Sequence, residues 1–162
     1  MEYRDLFDEN RVLTGEKIEK HDPVPTGRYY VTVMVFMENS NGEVLLQQRS
    51  ASKGGQWATT GGHPKAGETS LIGMQTEIEE EIGVSVSTDE LILFKTIQTE
   101  DDFVDFYYLK KDVSVEDLKI QDEEVQNVRW FTKEKIEEMI LDGTFFKWHI
   151  EPYRWFLEYI NK

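Results

Sequence analysis

The sequence predicts an α/β or α+β protein, and three observations support this fold class. Short runs rich in β-branched and aromatic residues, typical of strands, alternate along the chain with amphipathic helical patterns. The chain has 162 residues, enough for a single domain, residues 1–162, with a substantial core. Its content of hydrophobic residues, 39%, and of aromatic residues, 12%, is typical of an ordered globular protein.

Composition excludes several classes of function. The formal net charge of −14 argues against a nucleic acid duplex as partner, because proteins bind phosphate backbones through clustered Lys and Arg. With no Cys in the chain, disulfides, thiolate metal sites and a cysteine nucleophile are excluded. No apolar run approaches the ~20 residues of a membrane span, and residues 1–5 show no signal-peptide pattern, so we expect a cytoplasmic protein without a membrane partner.

The first third of the chain predicts strands and turns. Residues 3–20 have the pattern of a hairpin, and the Pro and Gly content of residues 20–27 indicates a linker, so residues 1–27 form an N-terminal extension. Residues 29–37 predict a central strand, with residues 43–49 as its hairpin partner. A flexible loop over residues 50–56 leads towards Gly61 and Gly62, where we expect a tight turn in which the backbone can approach a phosphate or a bound water closely.

A helix follows this expected turn. Its apolar residues recur at spacings of three and four and form one buried stripe: Leu71, Met74, Ile78 and Ile82. Gly83 ends the helix, as a residue tolerant of positive φ commonly does. Glu77 and Glu81 fall beside the edge of the stripe and Glu80 lies slightly further round, whereas Glu79 points to the opposite side.

Three carboxylates on one helical face need an explanation. An acidic helical run is often a solvated face, but Glu77 and Glu81 repel each other at i and i+4 and lie beside the apolar stripe. A hard divalent cation such as Mg²⁺ or Mn²⁺, which prefers oxygen ligands, would convert this repulsion into binding. An acidic protein can then bind a small phosphate compound, because the cations bridge the two sets of negative charge.

The remaining elements follow from the same patterns. Thr132 and Gly143 mark the bounds of one helix. Thr132 is its N-cap, and Gly143 follows its last residue. The predicted order is a hairpin of strands at 91–99 and 103–109, a polar connection at 110–122, a strand at 125–131, and helices at 133–142 and 150–160.

The stretch from Gly62 resembles the signature of the Nudix hydrolases. Gly62, five residues, Glu68, seven residues and then the run from Thr76 to Val84 match every fixed position of that pattern except one, since Thr76 stands where the family has Arg. The resemblance implies an α/β/α sandwich with a mixed β-sheet, here with an N-terminal β-hairpin extension. It also implies a hydrolase that cleaves a diphosphate linkage in a nucleoside diphosphate derivative or a related small phosphorylated compound.

The resemblance implies roles for individual residues. Glu77 and Glu81 would be the principal ligands of Mg²⁺ or Mn²⁺, and Glu80 would be a ligand or the general base. The backbone of Gly62 would complete the coordination, and Glu68 would be a supporting acidic group near the helix start.

A further metal ligand often comes from the loop before the strand at 125–131. Glu124, with Glu123 and Asp122 as neighbours, is the candidate, although a solvated acidic loop explains these residues equally well. For substrate phosphates we expect Arg49 and Lys65, each of which has the alternative of an ordinary surface charge.

Other substrate contacts have weaker signals. His63 is a pocket or metal residue, or simply an exposed histidine beside Pro64. The further cations are Lys53 and Arg28, and the aromatic candidates, each of which could belong to the core instead, are Trp57, Phe103, Tyr107 and Trp148.

Two alternatives stay open. Residues 57–64 resemble a segment of isopentenyl diphosphate isomerase, but Gly61 replaces the catalytic Cys and cannot move a proton, and Tyr30 replaces one of the metal-binding histidines. Thr76 also keeps open a non-catalytic, ligand-binding Nudix domain. Homodimers are common in the family, so a homodimer is possible here as well.

Overall fold

The computed structural model describes residues 2–120 and 123–162. Asp122, named above beside Glu124, and the end of the polar connection therefore lie outside the described residues. The strands are β1 (Tyr3–Phe7), β2 (Leu13–Glu19), β3 (Tyr30–Glu38), β4 (Val44–Arg49), β5 (Trp57–Ala58), β6 (Gly61–Gly62), β7 (Ile92–Gln98), β8 (Asp102–Lys110) and β9 (Val125–Phe131). The helices are α1 (Ser70–Ile82), α2 (Lys133–Asp142) and α3 (Ile150–Ile160), and no helix in the described ranges is long and apolar enough to cross a membrane.

The central sheet is mixed. Strands β3 and β8 pair in parallel over their full lengths, β7 pairs antiparallel with β8, and β9 pairs antiparallel with β4. Strands β1 and β2 form a separate two-stranded sheet, so the predicted N-terminal hairpin is present. The predicted hairpin of β7 and β8 is present as well.

Helices cover both faces of the central sheet, which makes the fold the expected α/β/α sandwich. Residues of β3 alternate between two cores because successive side chains of a strand point to opposite faces. Val33 and Val35 pack towards α1 with Met74 and Ile78. On the other face, Met34 and Phe36 pack with residues of α2 and α3, including Ile136, Met139, Tyr153 and Phe156.

The ends of α1 and α2 have the local chemistry that the sequence predicts. The Thr69 hydroxyl oxygen accepts a hydrogen bond from the Ile72 backbone N–H at 3.2 Å, which satisfies a free donor at the start of α1. Gly83 follows the helix with φ 70°, a left-handed conformation that glycine adopts without strain. Thr132 and Gly143 mark the ends of α2 in the same way.

In the region between β3 and the helix, the expected turn is wrong, and the expected pairing of β3 with β4 is present but short. Gly61 and Gly62 do not form a turn, because they form strand β6, which pairs antiparallel with Val33 and Met34. Strands β3 and β4 pair only at Glu38 and Val44 and then separate. The segment with β5 and β6 occupies the space between them, β5 pairing with β4 and β6 with β3.

A buried ion pair fastens the N-terminal hairpin to the sheet. Arg11 donates to both carboxylate oxygens of Asp105, at 2.8 and 2.6 Å, and Asp105 is 1% exposed. The same carboxylate accepts hydrogen bonds from Ser70, the first residue of α1, and from Thr96. Burial opposes ionisation of Asp105, but these donors more than offset it and hold its pKa below the usual range. The hairpin, the sheet and α1 therefore share one polar anchor.

Candidate active site

Helix α1 places its glutamates on the wall of a cavity of about 400 Å³. The cavity lies between α1, strand β6, the segment before β9 and the N-terminal hairpin. Its lining residues are Glu2, Arg4, Lys20, His21, Lys53, Gly61, Gly62, His63, Glu77, Glu80, Glu81 and Glu124. The structure thus brings the predicted Glu77, Glu80, Glu81, Gly62, His63 and Glu124 to one cavity.

Glu81 is the most buried carboxylate of this group, with 9% of its surface exposed. Burial, reinforced by the nearby charge of Glu77, raises the pKa of Glu81 to about 8, whereas hydrogen bonding from Gln47 acts in the opposite direction. Its Oε2 atom has no hydrogen-bond partner among the residues that the structure describes. A buried polar atom without a partner costs free energy, so this oxygen is available for a ligand.

Glu77 packs against the backbone of Gly62. A Cβ atom added at Gly62 would lie 2.3 Å from the Glu77 Cδ, so any other residue would collide with the carboxylate. Burial, together with the charge of Glu80, raises the pKa of Glu77 to about 7, while Lys65 and a hydrogen bond from the His63 backbone N–H lower it.

Salt bridges hold the two outer carboxylates. Lys65 Nζ lies 2.8 Å from Glu80 Oε1, and Lys53 forms a salt bridge with Glu124. Glu80 and Glu124 thus each have a lysine partner, and within residues 2–120 and 123–162 no three His, Asp or Glu side chains converge on a common metal position. The predicted ligands line the same cavity but are not assembled around one point.

Thr76, the one departure from the Nudix pattern, is bound to Glu68. The Thr76 hydroxyl donates to Glu68 Oε2 at 3.0 Å, and Glu68 Oε1 accepts from the Lys65 backbone N–H at 2.7 Å. Glu68 therefore links the middle of α1 to the loop before it, without an arginine. This position supports the loop rather than the cavity wall.

A second cavity, of about 250 Å³, adjoins the first and shares Gly62, His63, Lys53, Glu81 and Glu124 with it. Its other side is formed by Arg49, whose guanidinium carbon lies 4.0 Å from the centre of the Phe146 ring, a cation–π contact. The predicted phosphate ligand Arg49 thus lies at the site.

Several residues of this second cavity were not predicted from the sequence, among them Gln47, Phe146 and His149. The His149 Nδ1 atom accepts from the Thr59 backbone N–H at 3.3 Å, and burial lowers the pKa of His149 to about 4. Gln47 Oε1 accepts from the Thr60 hydroxyl at 2.7 Å. Gln47 shares a face of β4 with Leu45, which packs towards α1, and could have been found from that alternation, whereas no local signal marks Phe146 or His149.

His63 is half-buried rather than freely exposed. Its Nδ1 atom lies 3.3 Å from the Thr32 hydroxyl and 3.4 Å from the Val31 carbonyl oxygen. Burial, with a smaller contribution from Arg4, lowers the pKa of His63 to about 4, so the ring is neutral at pH 7.

Several predicted contact residues lie away from both cavities. The Trp57 ring packs edge-on against Phe131, and Arg28 forms a salt bridge with Glu16 at 2.8 Å. Trp148 is 70% exposed. The other two aromatic candidates belong to the interior: Phe103 and Tyr107.

Comparisons with known proteins agree with this architecture. The family model described as NUDIX domain matches residues 28–156. An uncharacterised Nudix hydrolase of Listeria monocytogenes is 32% identical over 90% of this chain and 88% of its own. An isopentenyl-diphosphate Delta-isomerase of Streptomyces coelicolor is 38% identical, but over 51% of this chain and 44% of its own. A crystal structure from Deinococcus radiodurans has the same fold, with a TM-score of 0.70 and 24% identity over 89% of this chain and 91% of its own.

Proposed function

This chain belongs to the Nudix hydrolase family and is by that membership a pyrophosphohydrolase, and from this premise we propose that it cleaves a diphosphate linkage with the help of a divalent cation. The substrate is a nucleoside diphosphate derivative or a related small phosphorylated compound. The observation that carries the proposal is the buried Oε2 atom of Glu81, which has no partner among the described residues and lies on a cavity wall that Glu77, Glu80 and Glu124 share.

The residues present fit a hard divalent cation. The donor set consists of carboxylate oxygens, which Mg²⁺ and Mn²⁺ prefer. Glu81 has a buried oxygen without a partner among the described residues. Because Gly62 has no Cβ atom, its backbone can lie directly beside the Glu77 carboxylate. Glu77, Glu80, Glu81 and the Gly62 carbonyl would hold the cation, with Glu124 as a further ligand once Lys53 releases it.

When bound, a divalent cation lowers the pKa of a water molecule and neutralises charge on the phosphate oxygens. The chain's own residues account for the remaining tasks. Glu80 reaches into the cavity beside Lys65 and is the residue that we assign as general base or additional ligand. Lys53 lines both cavities and Arg49 lines the second one, and both would hold phosphate oxygens. Lys65 orients Glu80, and His63 shapes the wall as a neutral ring.

The experiment is a hydrolysis screen of nucleoside triphosphates, dinucleotide cofactors, sugar nucleotides, ADP-ribose and isopentenyl diphosphate with Mg²⁺ or Mn²⁺. Glu81→Gln tests the site, and Glu79→Gln on the exposed side of α1 is the matched control. We expect metal-dependent release of phosphate-containing products from the wild type and the control. Glu81→Gln should reduce the rate by at least about a hundredfold, since metal ligands and charge stabilisation are worth several kcal/mol. Full activity of Glu81→Gln would overturn the proposal.

The isomerase alternative is disfavoured at Gly61. A glycine cannot move a proton, and a Cβ atom added there would lie 2.9 Å from the Val33 carbonyl oxygen. Rearrangement of isopentenyl diphosphate without phosphate release in the same screen would restore the isomerase alternative. Ligand binding without turnover by any variant would favour the non-catalytic alternative. Cytoplasmic location and a possible homodimer remain part of the proposal, and light scattering after size-exclusion chromatography tests the dimer.

A further inference from the structure

The N-terminal hairpin forms one wall of the glutamate cavity. Four of its residues lie on that wall: Glu2, Arg4, Lys20 and His21. All of them precede residue 28, where the match to the NUDIX domain begins. Membership of the family therefore does not account for their presence at the site.

Two of these four residues, Arg4 and Lys20, are cations. Arg4 and Lys20 form no salt bridge in the part of the chain that the structure describes, whereas Lys53 and Lys65 at the same site are each paired with a glutamate. The chain has 32 acidic and 18 basic residues, so acidic partners are abundant. Unpaired cations facing an acidic cavity are free to bind an anionic ligand.

Aromatic rings position Arg4. Its guanidinium carbon lies 5.0 Å from the centre of the Tyr30 ring, and Tyr30 contacts the His63 ring at 5.2 Å between centroids, nearly at right angles. His63 directly follows Gly62, so this stack of side chains links Arg4 to the backbone beside Glu77. Arg4 is thus held at the cavity without using its hydrogen-bond donors on a carboxylate.

The backbone positions Lys20. Its N–H donates to the Glu2 carbonyl oxygen at 3.1 Å, which closes the open end of the hairpin. His21 follows with φ 80°, a left-handed conformation that is uncommon for a residue with a Cβ atom. Strained residues of this kind occur most often at functional sites. The Arg11 and Asp105 anchor described above fixes the hairpin that carries both cations.

We propose that Arg4 and Lys20 form an anion subsite that binds one phosphate group of the substrate. The inference rests on the proposed function and narrows its substrate class. Arg4 and Lys20 line only the cavity next to the hairpin, whereas Arg49 and Phe146 line only the adjoining one, and Glu81 belongs to both. The substrate is therefore a diphosphate compound that extends across the glutamates, with a phosphate at the hairpin and its organic part beside Phe146.

The test uses Arg4→Gln and Lys20→Gln, with Lys17→Gln as the matched control. Lys17 is an exposed lysine of the same hairpin that lies outside the cavity lining. Loss of a charge-assisted hydrogen bond should raise KM and the inhibition constant of inorganic pyrophosphate about tenfold. We expect kcat to stay within about threefold, because the groups bind substrate rather than react. Arg4→Lys should fall between wild type and Arg4→Gln, since lysine keeps the charge but not the planar fork.

Binding of inorganic pyrophosphate with Mg²⁺, measured by calorimetry, separates this inference from the proposed function. If the wild type binds pyrophosphate but hydrolyses nothing, the proposed hydrolase function is refuted. The subsite is still supported in that case if Arg4→Gln binds pyrophosphate about tenfold more weakly than the wild type. A wild type that hydrolyses its substrate while both glutamine variants keep normal KM and binding refutes the subsite alone. If Arg4→Gln fails to fold, the Lys20→Gln variant decides the outcome, because Lys20 is exposed. No binding by the wild type refutes the subsite as well.

Discussion

At Gly62 the chain passes so close to Glu77 that no side chain fits between them. Gly61 and Gly62 were expected to form a turn, whereas the structure shows an extended strand in which the missing Cβ of Gly62 makes room for a carboxylate. The glycine is needed here for space and not for a positive φ. This space sets the distance between the Gly62 backbone and the glutamates of α1.

Gly62→Ala should therefore disturb both stability and activity. The contacted atoms form the end of a flexible side chain, so Glu77 can move aside and the free energy of unfolding should fall by only about 1 kcal/mol, whereas displacement of Glu77 should lower the hydrolysis rate at least about tenfold. Urea unfolding and rate measurements check both effects. The double variant Gly62→Ala with Glu77→Ala should be no less stable than Glu77→Ala alone, because the collision is then gone. An independent, additive loss of stability would contradict the proposed collision.

Thr76 supports a second prediction at this scale. Thr76→Val removes the hydroxyl that donates to Glu68 at 3.0 Å and should lower the free energy of unfolding by about 1 kcal/mol. Thr76→Ser keeps the hydroxyl and serves as the control, and thermal unfolding compares the two. Equal stability of Thr76→Val and wild type would mean that the hydrogen bond contributes nothing, and the loop before α1 would then be held by other contacts.

Among the elements, the N-terminal hairpin is joined to the rest of the chain by the ion pair of Arg11 with Asp105 as well as by hydrogen bonds. Arg11→Met leaves the Asp105 carboxylate buried without its cation, which should cost about 2–3 kcal/mol in the free energy of unfolding. Arg28→Met breaks a solvent-exposed salt bridge to Glu16 and should lower the free energy of unfolding far less, because water screens that pair. Chemical denaturation measures both variants, and limited proteolysis should show faster cleavage within the hairpin of Arg11→Met only. Similar losses in the two variants would refute the special role of Asp105.

Element bounds were largely predictable because the signals are local. The stripe with Met74 and Ile78, the N-cap Thr132 and the glycines after α1 and α2 all act within a few residues of the positions that they determine. The pattern of α1 also correctly indicated that Glu81 is more buried than Glu79.

Pairings between distant segments were not predictable in this way. Arg11 and Asp105 lie 94 positions apart, and nothing near either residue indicates the other. Three further features also depend on how distant segments of the chain pack together. They are the separation of β3 from β4, the strand at Gly61 and Gly62, and the position of His149. Roles of the glutamates remain predictions, since the structure gives their positions and not their chemistry.

For the whole molecule, the raised pKa values of Glu77 and Glu81 predict how stability depends on pH. The pKa is about 7 for Glu77 and about 8 for Glu81 in the folded protein, against an ordinary value of 4.5. The folded state therefore holds protons that the unfolded state has lost, so their contribution to stability is complete below pH 4.5 and disappears as pH rises through 7 and 8. Buried His63 and His149, with pKa values of about 4, oppose this trend only below the ordinary histidine value of 6.5.

Without metal, the midpoint of thermal unfolding should fall between about pH 6.5 and 8.5, and Glu81→Gln should reduce the slope. Added Mg²⁺ should raise the midpoint more at pH 8 than at pH 6, because a cation binds the ionised carboxylates and protons compete with it. Calorimetric scans at several pH values measure both trends. Parallel curves for wild type and Glu81→Gln would show that Glu81 does not keep its proton in the folded state.

The parallel pairing of β3 with β8 also affects the order of events during protein synthesis. The Thr32 hydroxyl of β3 donates to Asp102 of β8 at 2.6 Å, across 70 positions of the chain. Most of the sequence must therefore be translated before β3 can pair with β8. Contacts so distant in sequence form slowly. Until then one edge of β3 stays unpaired on the nascent polypeptide, and unpaired strand edges make a partly folded chain prone to aggregate.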